Sequence, residues 1–210
     1  ASTNPGLGWA YKADNGFAIS SNVVSKESDE HNKGFLSDES ASSWATQIGL
    51  TKPTYSASVM VNIKAGGWGD SYYTTPLGKA RPGDGNSTNI GLRGWWRPDD
   101  TGTIVPSISV GYDTSEIDDD DNDTTDAWFA GLNWADVFTP DDKIGLAFGQ
   151  PQTREDENDE PFAWESYYKF VVNDSVSSTI TVFGGDDRGG NTGDGSGSHT
   201  GATFETTFKF

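Results

Sequence analysis

The 210-residue sequence contains no cysteine, which excludes disulfide bonds, thiolate catalysis and thiolate metal sites. Hydrophobic residues make up only 33% of the chain, and its mean hydropathy is -0.61. A membrane-spanning helix needs about 18 consecutive apolar residues, and no stretch of this sequence approaches that length. A helical membrane protein is therefore excluded.

Positive charge is also scarce, because 14 Lys and Arg residues stand against 32 Asp and Glu residues, for a net charge of -18. A nucleic-acid-binding protein needs a basic surface, so we expect no nucleic-acid partner. Both histidines, His31 and His199, fall in long connections, and they suggest neither a catalytic triad nor a histidine-rich metal site. We therefore predict no catalytic residue, no metal and no cofactor. The lack of histidine in the predicted strands also disfavours a membrane-embedded lipase or protease.

Aromatic residues and glycine are abundant instead, with 8 Trp, 7 Tyr, 11 Phe and 26 Gly. This composition is typical of alternating strands with glycine turns, and it argues against disorder. Alternation with a period of two residues predicts eleven strands. They lie near residues 6–12, 17–25, 43–51, 55–65, 87–97, 104–113, 126–135, 142–150, 162–172, 176–183 and 201–210.

The connections between these strands alternate between tight turns and long polar stretches. The tight turns are Ala13–Gly16, Lys52–Thr54, Pro98–Thr103, Asp136–Asp141 and Asn173–Ser175. The long stretches are Glu27–Ser42, Gly66–Ser87, Ser115–Thr125, Pro151–Pro161 and Gly184–Thr200. Short periplasmic turns and long outer loops are the layout of bacterial outer-membrane barrels. The sequence therefore predicts an all-β, transmembrane, antiparallel up-and-down barrel of the porin type.

The predicted last strand, residues 201–210, indicates the orientation of the barrel. Its apolar members are Ala202, Phe204, Phe208 and Phe210, and its polar members are Thr203, Glu205, Thr207 and Lys209. A terminal phenylalanine at the end of such a strand looks like the signal that the barrel-assembly machinery reads, which would place this end in the periplasm. With eleven strands the first residue would then lie outside, whereas single-chain bacterial barrels have even strand numbers. We therefore expect residues 1–210 to be the C-terminal portion of a larger even-stranded barrel, or a barrel that another chain closes.

Four stretches of the sequence resemble cyanobacterial outer-membrane porins related to the carbohydrate-selective porin family. They are Ala127–Val137 (AWFAGLNWADV), Lys143–Pro151 (KIGLAFGQP), Phe162–Val172 (FAWESYYKFVV) and Thr206–Phe210 (TTFKF). The resemblance implies a homotrimer in the outer membrane of a Gram-negative, cyanobacterial cell. It also implies a surface-layer-homology domain that binds periplasmic polymer, and we expect residues 1–210 to lack both that domain and the first barrel strands.

A porin-sized barrel encloses water, and the residues that alternate with the lipid-facing set should line it. The predicted pore-lining residues are Lys12, Asn22, Gln47, Asn62, Lys64, Asn89, Arg93, Asn133, Lys143, Glu165, Tyr167, Lys169, Glu205 and Lys209. Basic side chains outnumber acidic ones, so one hypothesis is a constriction that favours anions such as inorganic phosphate or nitrate, with Arg93, Lys64 and Lys169 as the main contributors. The competing interpretation is that scattered lysines merely wet the channel.

The long connections carry most of the negative charge. These acidic residues include Glu27, Asp29, Glu30, Asp38, Glu39, Asp118–Asp121, Asp123, Asp126, Glu155–Glu157, Asp159 and Glu160. One interpretation is that these residues simply lie in solvated loops. The other is that they bind divalent cations or filter solutes electrostatically at the channel mouth.

Aromatic residues suggest two further features. Gly66–Ser87 carries Trp68, Tyr72, Tyr73 and Arg81, which would narrow the pore and stack on sugar rings, or else pack against the barrel rim. An interfacial girdle near the short turns is expected from Trp9, Tyr55, Trp96, Trp134 and Phe138.

The leading functional interpretation is a water-filled channel for passive diffusion of small hydrophilic solutes and inorganic ions, with sugars among the candidate solutes and lipid covering the outer wall. The alternative is a secreted or surface-attached, calcium-dependent β-sandwich that serves adhesion or structure. The two differ in what covers the apolar strand faces.

Overall fold

The structure is a computed structural model that describes residues 4–26, 30–35, 37, 39–68, 86–118, 124–154, 161–186 and 197–209. Eleven strands form one sheet, in which the spatial order of the strands is their order in the chain and every pair is antiparallel. The strands are β1 (Gly6–Lys12), β2 (Phe17–Ser25), β3 (Ser42–Thr51), β4 (Tyr55–Ala65), β5 (Ser87–Trp96), β6 (Ser107–Ile117), β7 (Thr124–Ala135), β8 (Lys143–Arg154), β9 (Phe162–Asn173), β10 (Val176–Asp186) and β11 (His199–Phe208). The predicted all-β, up-and-down arrangement is confirmed. None of the described residues belongs to a helix long and apolar enough to cross a membrane.

Prolines explain two of the differences from the predicted strand limits. Strand β6 begins at Ser107 and not at residue 104, because Pro106 has no N–H to donate to the ladder. Ile104 and Val105 therefore lie in the turn, where they are 91% and 46% exposed. Strand β8 continues through Pro151 to Arg154, because a register shift between Asp126 and Trp128 on the paired strand accommodates the proline.

Other strand limits also differ by a few residues from those predicted. Strand β6 continues to Ile117, β7 begins at Thr124, β10 continues to Asp186, and β11 runs from His199 to Phe208. His199 therefore lies on a strand and not in a long connection as expected. Each difference shortens a long connection or trims a strand end, and none changes which residues alternate.

Much of the long connections lies outside the described residues. Predictions that fall there concern Glu27, Asp29, Asp38, Tyr72, Tyr73, Arg81, Asp119–Asp121, Asp123, Glu155–Glu157, Asp159, Glu160 and Phe210.

The short connections lie side by side at one end of the sheet and form a hydrogen-bonded rim, here called the turn rim (residues 13–16, 52–54, 97–106, 136–142 and 174–175). The Lys52 ammonium donates to the Asn15 carbonyl at 2.7 Å, and the Arg97 Nε–H donates to the Pro53 carbonyl at 2.8 Å. The Trp134 indole N–H donates to the Ile104 carbonyl at 2.8 Å. These contacts join the first three turns to one another and tie the third turn to the end of β7.

Gly16 shows why the first turn needs glycine. Its φ is 88°, and a Cβ at this position would overlap the carbonyl oxygen of Thr51 at the end of β3. The backbone can approach that closely only without a side chain.

The turn between β7 and β8 is built around the carboxylate of Asp142, whose side chain is fully buried. One carboxylate oxygen accepts a hydrogen bond from the Val137 N–H at 2.7 Å, and the other accepts from the Phe138 and Thr139 N–H groups at 3.0 Å each. Burial raises the pKa of this carboxyl, but the three backbone N–H donors outweigh burial, and the pKa lies below its usual value. The ionised carboxylate therefore stabilises the turn.

We predict that Asp142→Asn lowers the stability of the protein, because one amide oxygen cannot replace two carboxylate oxygens that accept from three N–H groups. A carboxyl with a lowered pKa contributes stability that is present above its ordinary pKa and is lost as the pH falls through the lowered value. The variant should therefore have a lower urea midpoint at neutral pH and a smaller loss of stability in acid. Tryptophan fluorescence in detergent micelles measures both.

Asp141→Asn is the matched control. Asp141 has a φ of 66°, which asparagine tolerates, and its backbone N–H rather than its carboxylate makes the turn contact, with Asp136. Equal destabilisation by the two variants would contradict the role assigned to Asp142.

Candidate functional site: the polar face of the sheet

The strand register assigns every side chain to one of two faces of the sheet. Directly paired residues share a face, so the row Lys143, Lys169, Thr179 and Glu205 crosses four strands on one side. The same pairing brings every predicted pore-lining residue from Lys12 to Glu205 to this side, here called the polar face. Lys209 follows β11 and lines the same cleft as Lys143 and Lys169. One continuous surface thus contains the whole predicted set.

The opposite surface, here called the apolar face, consists mainly of large hydrophobic side chains, many of which are exposed within the part of the chain that the structure describes. Leu7 is 69% exposed and Phe204 is 67% exposed. Along the described strands its charged side chains are Glu116, Asp126 and Asp186, all near the long-connection ends. The middle of this face therefore carries no charge.

Aromatic side chains on the apolar face lie in two bands with aliphatic residues between them. The band at the turn rim contains Tyr55, Trp96, Trp134, Phe138 and Tyr168, and the band toward the long connections contains Trp44, Tyr112, Trp128, Phe148 and Trp164. In the first band the rings of Phe138 and Tyr168 contact each other edge to face, with centroids 5.8 Å apart. Trp9, expected in the girdle, lies in the middle of β1 on the same face.

The described part of the chain has little conventional core. Its only buried hydrophobic residue is Ile117, and most buried polar residues, including Ser43, Lys64, Ser87 and Thr125, also lie toward the long connections. Lys64 lies on the polar face as predicted, but only 7% of it is exposed. Its ammonium is therefore part of the packed end of the sheet.

A row of uncharged side chains, here called the polar belt (Ser43, Asn62, Asn89 and Ser115), crosses the polar face from β3 to β6. The Asn62 side-chain amide donates to Ser43 Oγ at 3.0 Å, and the Asn89 amide donates to the Asn62 carbonyl at 3.1 Å. The Ser115 hydroxyl donates to the Asn89 side-chain oxygen. Asn62 and Asn89, both predicted to line the pore, are half-buried. Ser43 orients the Asn62 side chain, whereas the Asn62 main-chain carbonyl and Ser115 orient the Asn89 side chain.

Arg93 is held by an ion pair that the sequence did not reveal. Its guanidinium lies 2.6 Å from an Asp113 carboxylate oxygen, donates to the carbonyls of Leu92 and Tyr112, and lies 5.6 Å from the centre of the Phe129 ring. Asp113 was missed because the predicted strand ended there, although it alternates with Gly111 and precedes Ser115 by two residues. The pair reduces the positive charge that Arg93 alone would give the wall.

Three aromatic rings on the polar face lie flat over glycines on the neighbouring strand. The pairs are Phe129 with Gly111, Tyr167 with Gly145, and Phe183 with Gly201, and a Cβ on any of these glycines would overlap the ring. Tyr167 also accepts a hydrogen bond from the Asn133 amide. Glycine thus lets large rings lie against the sheet.

Comparisons with known proteins agree with this fold. No protein-family model matches the chain, and neither does any curated protein. Among solved structures, it is similar to OmpT, an outer membrane protein of Vibrio cholerae folded in vitro and determined in its trimer form, with a TM-score of 0.50 and 14% sequence identity. The match covers 96% of this chain and 61% of that chain, so this chain spans about three-fifths of the length of the Vibrio protein.

Among the described residues, no group of three or more His, Cys, Asp or Glu side chains is placed to hold a metal ion. The feature that invites a functional interpretation is therefore the contrast between the two faces.

Proposed function

We propose that this chain forms part of the wall of a water-filled channel in the outer membrane of a Gram-negative cell, and that the channel allows passive diffusion of small hydrophilic solutes and inorganic ions. The supporting observation is the two-faced sheet, in which one surface is charged and hydrogen-bonded and the other is apolar and exposed. In the proposed channel, lipid contacts the apolar face and water contacts the polar face. The proposal includes no catalytic step.

The middle of the apolar face is compatible with hydrocarbon on energetic grounds. A charged side chain at the centre of a bilayer costs several kcal/mol, about 2–4 for lysine or arginine in a barrel. This face confines Glu116, Asp126 and Asp186 to strand ends, with aromatic residues nearby, as expected of an interfacial girdle. In water, by contrast, an apolar surface of this extent would promote association.

The sheet edges support a larger barrel. Within the described residues, β1 pairs with β2 alone and β11 pairs with β10 alone. Both edge strands run toward the turn rim, so an antiparallel closure requires an odd number of additional strands. Unpaired backbone groups are costly in lipid, so we infer that further strands, from the same protein or from a partner chain, complete the barrel.

The finer assignment follows the sequence resemblance to cyanobacterial porins. We infer a homotrimer, a cyanobacterial outer membrane, and inorganic ions and sugars as solutes. The trimer form of the similar Vibrio protein supports the oligomeric state. The alternative of a calcium-dependent β-sandwich receives no support, because the described strands form one sheet and a sandwich needs two packed sheets.

The wall we propose is weakly favourable to anions. Its basic side chains are Lys12, Lys64, Arg93, Lys143, Lys169 and Lys209, and its acidic side chains are Asp113, Glu165 and Glu205. The ion pair to Asp113 and the burial of Lys64 both reduce the basic excess, so the free lysines toward the turn rim contribute most.

We predict opposite effects of lysine at two adjacent positions in the middle of β4. Val59 and Met60 are 36% and 39% exposed on the apolar and polar faces, respectively. Val59→Lys should lower the free energy of unfolding in lipid vesicles by about 2–4 kcal/mol, while Met60→Lys should change it by less than about 1 kcal/mol. Urea titration monitored by tryptophan fluorescence measures both. If Met60→Lys were the more damaging change, the assignment of the two faces would be wrong.

We also predict that Asp113→Asn makes the channel more selective for anions, because it leaves the Arg93 charge uncompensated. An exposed ion pair of this kind corresponds to roughly a twofold change in the chloride-to-potassium permeability ratio. Reversal potentials in a potassium chloride gradient measure the ratio. Asp14→Asn removes the same charge from the first short turn and should leave it unchanged. A shift of Asp113→Asn toward cations would contradict the assigned role.

A further inference from the structure

We propose that a cleft at the turn-rim end of the polar face binds a small oxyanion, with inorganic phosphate as the representative ligand. The cleft has a volume of about 370 Å³, and the side chains of Lys143, Lys169 and Lys209 line it. This inference deepens the proposed function, because it assigns a specific anion site to the inner end of the channel.

Two lysines of the cleft form a pair of like charges. Lys143 on β8 and Lys169 on β9 occupy directly opposed positions, where side chains of equal sign repel each other. Neither ammonium forms an ion pair with any described residue. Such a pair is stabilised when an anion lies between the two charges.

A third lysine reaches the cleft from a different part of the sheet. Lys209 follows β11, and its backbone N–H donates to the Ser175 carbonyl at 2.8 Å. The turn that holds Ser175 is itself fixed, because the Ser175 N–H donates to the Asn173 side-chain oxygen at 2.9 Å. The cleft is therefore bounded by strand ends and a turn that hydrogen bonds hold in place.

Acidic residues near the lysines reduce the net positive charge of the cleft. Asp141 and Asp174 line it on the side of the turns. Glu205 shares the sheet row of Lys169 but does not line the cleft. Asp136 does not line the cleft, but a hydrogen bond from Thr101 lowers the pKa of its carboxyl, and the charge of Lys143 helps to lower it. Among the residues that line the cleft, three ammonium groups thus stand against two carboxylates, and the positive groups lie on the strand side, which faces the proposed channel.

The number of N–H donors around the cleft favours an oxyanion over a simple halide. Each ammonium offers up to three N–H donors, and the oxygens of phosphate can accept from several donors at once. Such charge-assisted hydrogen bonds are stronger than neutral ones. The volume of the cleft also leaves room for bridging water.

The test is isothermal titration of sodium phosphate into the purified protein in zwitterionic detergent at low ionic strength. We expect saturable binding, and Lys143→Gln and Lys169→Gln should each weaken it by about tenfold, the effect of one lost charge-assisted hydrogen bond. Lys169→Arg, which keeps the charge, should retain most of the affinity. Near-ultraviolet circular dichroism confirms that each variant is folded.

Lys12→Gln is the matched control, because Lys12 lies at the same end of the same face but lines a different cleft, without another lysine. It should leave phosphate binding unchanged. Absence of binding by the folded protein would overturn the inference, as would an equal loss of affinity in the Lys12 and Lys169 variants.

Planar-bilayer conductance separates this inference from the proposed function. A protein that conducts ions but does not bind phosphate would overturn the oxyanion site alone. A protein that binds phosphate through Lys143 and Lys169 but forms no channel would overturn the channel alone.

Discussion

The structure depends on one constraint, which is that successive side chains of every strand lie on two chemically different faces of a single sheet. Because paired residues always share a face, the register carries this division from β1 to β11 without interruption. A slip of one residue between any two strands would expose charged residues such as Lys169 on the apolar face and bring Tyr168 to the polar face. The hydrogen-bonded turn rim and the buried Asp142 carboxylate fix the register at the end where the connections are short.

The same constraint explains the chemistry of the polar face. A single layer of strands has no interior in which to bury polar groups, so they satisfy one another along the surface. The polar belt does so with amides and hydroxyls, and Arg93 does so with Asp113 and the Phe129 ring. Where no described residue supplies an ion-pair partner, as at the paired Lys143 and Lys169, the face retains positive charge.

Much of this organisation could be predicted from the sequence, because alternation is a local property. Ile144, Leu146 and Phe148 alternate with small and polar residues, and the structure places them on the apolar face as their spacing indicates. The alternation of apolar and polar residues did not predict the strand limits where a proline interrupts the backbone hydrogen bonding. Pro106 delays the start of β6, and Pro151 lies within β8 only because a bulge accommodates it.

Pairwise contacts between strands were harder to predict than strand positions. The partner of Arg93 depends on the register of β5 against β6, and the burial of Lys64 depends on residues that lie far from it in the chain. Neither is visible in a single strand.

The most direct test of the central claim is to measure what medium each face meets. Because the protein has no cysteine, a single introduced cysteine carries a unique nitroxide label, and residues 57–63 of β4 can be labelled one at a time in lipid vesicles. The two-faced channel wall predicts that collisions with oxygen, which concentrates in lipid, peak at Ala57, Val59, Val61 and Ile63, whereas collisions with a water-soluble nickel complex peak at Ser58, Met60 and Asn62. Peaks of both reagents at the same residues, or no alternation along the strand, would contradict it.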